Sequence, residues 1–115
     1  MSLQPMYRGD TYYFTATVVV AGQPVDLTAY SIWCTGKRAI EDADADAVFQ
    51  LTKGAGIVVT GASNNIAQMT ILPAMTSGFT APTDVMIDVQ IEVNGIVSTV
   101  ATDTLLVMQD VTRTH

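Results

Sequence analysis

The sequence predicts an all-β protein, an antiparallel β-sandwich of about seven strands with a C-terminal β-hairpin and at most one short helix. Three observations carry the prediction. Apolar and polar residues alternate with period two along most of the chain, the pattern of half-buried strands. Gly, Pro and Asn cut that alternation into short segments. Near the C-terminus, Asn94-Gly95 stands between two alternating runs, the pair a two-residue type I′ hairpin demands. Helical periodicity is nearly absent. At 115 residues the chain reads as one domain, 1–115, whose residues 1–9 form an N-terminal arm.

Taken in order, Thr11 to Val20 is β-branched and aromatic, with Tyr12, Phe14, Ala16, Val18 and Val20 on one face and Thr11, Tyr13, Thr15 and Thr17 on the other. Ala21-Gly22-Gln23-Pro24 breaks it. Tyr30 to about Lys37 sets Ile32 and Cys34 against Trp33 and Thr35, and Gly36 ends or bulges the run. An acidic, alanine-rich loop with Asp42, Asp44 and Asp46 follows. Val48 to Leu51 and Ile57 to Thr60 read as short strands, joined through Lys53-Gly54-Ala55-Gly56 as a hairpin turn. Gly61 to Asn65 has turn chemistry. Ile66 to Leu72 follows as a strand with Ala67, Met69 and Ile71 inward. Pro73 to Pro82 holds the one plausible helix, since proline suits a first helical position.

The C-terminal hairpin is the sharpest local signal. Val85, Ile87, Val89, Ile91 and Val93 share one face, and Met86, Asp88, Gln90 and Glu92 the other. Turn geometry pairs Val93 with Ile96, Ile91 with Ser98, Val89 with Val100 and Ile87 with Thr102, and a bulge near Asp103 re-aims Leu105 to Met108. The expected core contains Phe14, Val18, Ile32, Ile57, Met69, Ile71, Ile87, Val89 and Ile91. On the outer face this register gathers Met86, Val97, Thr99 and Ala101, too apolar a set for a fully solvated sheet, and these four are the candidate interface residues.

Composition excludes more than it selects. With 49% hydrophobic and 14% charged residues the chain has the apolar surface to fold. Five Lys and Arg against eleven Asp and Glu give a net charge of −6, which repels phosphate and argues against nucleic acid and anionic membrane as partners. No apolar run opens the chain, so no signal peptide is expected, and no stretch approaches the roughly 18 apolar residues of a membrane span. The only histidine is His115 and the only cysteine Cys34, so neither a triad nor a Cys/His metal site can be assembled. No catalytic residue, cofactor or metal is therefore expected, and the protein is not read as an enzyme. Asp42, Asp44 and Asp46 resemble the start of a calcium loop, but Ala47 and Lys53 replace the required glycine and glutamate. Asp88 and Glu92 on one strand lie about 13 to 14 Å apart, too far for a carboxylate pair. Arg8-Gly9-Asp10 spells the integrin-binding tripeptide, yet sits where the chain turns into a strand. Cys34 reads as a small buried hydrophobe.

Several segments together carry a resemblance: Gly9-Asp10-Thr11 leading into an aromatic strand, Pro24-Val25-Asp26-Leu27-Thr28-Ala29-Tyr30 into the next, Gly56-Ile57-Val58-Val59-Thr60 ahead of a strand ending at Pro73, and Asp88-Val89-Gln90-Ile91 through Asn94-Gly95 to Asp110-Val111-Thr112-Arg113. Their order resembles small immunoglobulin-like domains of phage and prophage structural proteins, similar to the N-terminal domain of the baseplate upper protein family. The resemblance implies a non-enzymatic tail or baseplate component of a virion, assembled in a bacterial host. Its partners would be other phage structural proteins or further copies of itself in a ring. A different class remains open on the same fold: a secreted bacterial binding module for carbohydrate or surface attachment. That reading needs an exposed aromatic platform, for which Trp33, Tyr7, Tyr12, Tyr13 and Tyr30 are the candidates.

Overall fold

The computed structural model describes residues 3–38 and 47–110. The acidic loop and His115 lie outside the described residues. Among the described residues, ten strands and one helical turn run in the order β1 Met6–Tyr7, β2 Tyr12–Thr17, β3 Val19–Val20, β4 Gln23–Pro24, β5 Ser31–Lys37, β6 Phe49–Lys53, β7 Gly56–Thr60, β8 Ile66–Ile71, α1 Pro73–Thr76, β9 Thr83–Val93 and β10 Ile96–Met108. Seven of these strands have five residues or more, the number expected from sequence, and the other three are two-residue pieces.

Eight strands form one continuous ladder, β1-β10-β9-β5-β6-β7-β8-β2, which folds over a single core as a sandwich. One side carries β1, β10, β9, β5 and β6, and the other β7, β8 and β2. The sides join at a parallel contact of two residue pairs, Thr52 with Gly56 and Lys53 with Ile57. Here the structure corrects an expectation. The segment is not an antiparallel hairpin turn: Gly54 and Gly56, with φ of 90° and 100°, coil the chain into a tight loop that carries it from one side to the other. A side chain at Gly56 would also strike Leu51, 2.8 Å from the Cβ position.

All nine expected core residues are buried, joined by Leu27, Cys34, Phe49, Leu51, Val85, Leu105 and Val107 among others. Val20 is the exception to the first strand's pattern, being 63% exposed. The run breaks at Val18, whose carbonyl accepts from Val25 N and Asn65 Nδ2, and the chain leaves the sheet as the small β3–β4 hairpin. Gly36 neither ends nor bulges β5. It is needed because the Phe49 ring lies 2.6 Å from where a Cβ would stand.

The N-terminal arm is part of the sheet. Met6 is buried and β1 runs parallel to the end of β10, with Met6 opposite Val107 and Tyr7 opposite Met108. Arg8 locks this pole: its Nε donates to Asp110 Oδ1 at 2.9 Å and its Nη1 to the Phe79 carbonyl at 2.7 Å, while Gly9 N donates to the buried Thr76 Oγ1 on α1. The tripeptide Arg8-Gly9-Asp10 is thus structural, with its arginine engaged and its glycine buried.

Candidate functional site

The outer face of the five-stranded side is built by register. Reading across neighbouring strands, Thr52, Trp33, Gln90 and Thr99 form one row, Gln50, Thr35, Asp88 and Thr102 the next, and Lys37, Met86 and Thr104 a third. Side-chain bonds tie the rows laterally. Gln50 Nε2 donates to Thr35 Oγ1 at 3.0 Å, and Gln90 Nε2 to Thr99 Oγ1 at 3.3 Å. Threonine and glutamine that spend their polar atoms on each other leave methyls and methylenes facing out. Over Thr35, Lys37, Met86, Asp88, Thr102 and Thr104 the face is concave, a groove of about 580 Å³.

Three of the four candidate interface residues belong to this surface. Met86 and Thr99 line the groove, and Val97, 57% exposed, stands near the hairpin tip opposite Glu92. Ala101 does not. The bulge lies between Thr99 and Ala101, earlier than Asp103, so Val100 is skipped in the pairing and the alternation inverts. Ala101 pairs with Val89 and packs against the core, Asp103 rather than Thr102 stands opposite Ile87, and Thr102 and Thr104 take the outer positions. The Asp103 carboxylate is satisfied at this position, since it accepts from Leu3 N at 2.7 Å and Thr104 N at 2.8 Å. Counting back by two from Leu105 puts Asp103 and Ala101 inside, counting on from Ile96 puts Val100 and Thr102 there, and the bulge marks where the two phases meet.

Among the described residues no group of three His, Cys, Asp or Glu is placed to hold a metal. Cys34 lies beneath this face on the core side, fully buried, and burial followed by the nearby Asp88 charge pushes its thiol up to about 12, so it is no nucleophile.

The candidate aromatics form no shared platform. Tyr13 is 63% exposed, but on β2, in the three-stranded side, whereas Trp33 is half-buried on β5. Tyr12 packs at 5.9 Å from the Phe14 ring and donates its hydroxyl to the Gln4 carbonyl, and Tyr30 also packs on the core. Only Tyr7, at 50%, is otherwise open, at the sheet edge. Stacking a sugar needs rings presented together, and these are dispersed.

Comparison of the chain with protein-family models, with curated proteins and with solved structures returned no match, so the geometry of the sheet and its outer face is what a functional reading can rest on.

Proposed function

We propose that this protein is a non-enzymatic structural component of a phage or prophage virion, in its tail or baseplate, that works by docking to other structural proteins or to copies of itself. The observation that carries the reading is the concave outer face of β5, β9 and β10, where Met86, Thr35, Thr99, Thr102 and Thr104 stand around Lys37 and Asp88. The strand order supports the immunoglobulin-like resemblance behind it: two antiparallel layers, with a short first strand running parallel to the last.

The test is assembly. Met86→Asp and Val97→Asp change exposed or half-exposed positions, so both variants should fold with native stability. Both should fail to enter particles, or to crosslink to neighbouring tail proteins, when expressed in place of the wild type. Normal incorporation of both variants would move the docking surface elsewhere. Particles that lack the protein altogether in the wild type would end the virion reading.

A further inference from the structure

The longest strand of the molecule is left half uncovered. β10 has thirteen residues, and β1 pairs with only its last two, Val107 and Met108. Further back, among the described residues of the arm, Leu3 N donates to the Asp103 side chain. From Ile96 to Thr102 no described residue pairs with the strand's outer edge.

The hairpin decides which backbone groups that edge presents. In a two-residue turn the flanking residues, Val93 and Ile96, exchange both backbone hydrogen bonds, and alternate pairs repeat the pattern. Ile96 and Ser98 therefore point their N–H and C=O groups at β9, while those of Val97 and Thr99 point outward. A free edge of this kind is a template for another strand, and proteins usually blunt one with lysine, proline or inward charges. Ile96-Val97-Ser98-Thr99-Val100-Ala101-Thr102 has no charge and no proline, and most of its residues are β-branched. The bulge at Val100 comes only after the first four residues.

From this edge we infer that β10 pairs with β10 of a second copy, antiparallel, about a two-fold axis normal to the sheet at Ser98. The partner is another copy because the edge is self-complementary. With Ser98 opposite Ser98, Val97 of each copy faces Thr99 of the other, and the outward N–H of each meets the outward C=O of its counterpart. Charge points the same way. In a chain of net charge −6, an uncharged strand is where two copies approach without repulsion. The opposite edge is less available: β2 has six residues, and its first, Tyr12, is tethered through its hydroxyl to Gln4. The pairing fuses two five-stranded layers into one sheet and sets the two outer grooves on the same side. It uses the strand edge and does not rest on the docking role of the outer face.

The test uses the full chain in sedimentation velocity from about 10 µM to about 1 mM, with amide exchange followed over the same range. A monomer–dimer equilibrium is expected, with exchange at Val97 and Thr99 slowing as concentration rises. Val97→Pro removes one outward donor per copy at a position where an edge strand accepts proline, and should weaken the dimer at least about tenfold. Ser98→Lys, at an exposed position, sets like charges opposite each other and should weaken it too, independently of any effect of proline on the fold. Met86→Asp should leave the dimer unchanged. A monomer across the whole range overturns the proposal. So does a dimer indifferent to both edge variants, or growth beyond the dimer, which would mean β10 pairing on β2.

Discussion

Raising the pH tests how the core is built through a single group. Cys34 lies in the middle of β5, opposite Leu51 on one side and Val89 on the other, with no exposed surface. Burial raises its pKa from 9.0 to about 12, with Asp88 adding to the effect. The folded chain thus holds the thiol proton more tightly than the unfolded chain. The sign follows: this contribution is fully present below pH 9 and is lost as pH rises from there towards 12. Integrating the linkage at about 1.4 kcal/mol per unit gives a loss of about 2 kcal/mol between pH 9 and 11. Urea unfolding of the wild type and of Cys34→Ala at both pH values measures it. Burial and then Asp103 also raise the Tyr12 pKa, in both proteins alike, so the difference between the proteins isolates the thiol. The wild type should lose about 2 kcal/mol more than Cys34→Ala. Parallel losses, or rapid alkylation of Cys34 in the folded protein at pH 8, would refute the buried placement.

Substitutions at two further positions probe the sandwich. Ile87→Ala empties a core position that is 2% exposed and should cost about 2 to 5 kcal/mol in chemical denaturation; a loss below about 1 kcal/mol would mean that face of β9 is not the packed one. Arg8→Met removes the 2.9 Å bond to the Asp110 carboxylate and the 2.7 Å bond to the Phe79 carbonyl at a largely buried pole, and should cost about 3 to 5 kcal/mol. Arg8→Lys should restore little of it, since one ammonium cannot reproduce the planar fork that reaches both acceptors.

Most of the strands and the core were legible because a half-buried strand writes its burial into every second residue. Val85 to Ile91 is the clearest case, and Ala67, Met69 and Ile71 another. What the pattern could not supply was the position of an irregularity. Between Ile96 and Leu105 two alternations of opposite phase meet, and nothing local distinguishes a bulge at Val100 from one at Asp103. The arm decides it, by giving the Asp103 carboxylate a donor from Leu3, a partner remote in sequence. That single shift removed Ala101 from the outer face and brought in Thr102 and Thr104. The crossing at Gly54 to Gly56 was hidden for a related reason: a glycine-rich pair of short strands suits a hairpin and a layer change equally well. The Arg8 lock lay beyond any local pattern, because its two acceptors are at positions 79 and 110.

The pairing of the first strand with the last has a kinetic consequence. Contacts such as Leu3 with Asp103 and Arg8 with Asp110 close loops of 100 and 102 residues, so their formation carries the entropy of closing very long loops. Such a topology has high contact order, and folding on the millisecond-to-second scale is the expectation for it. During synthesis, β1 waits for a partner about 100 residues downstream. Until β10 emerges from the ribosome, Met6 has no strand beside it and β9, paired with β5 on one edge alone, leaves its other edge open, a seam the nascent chain must keep from meeting its neighbours.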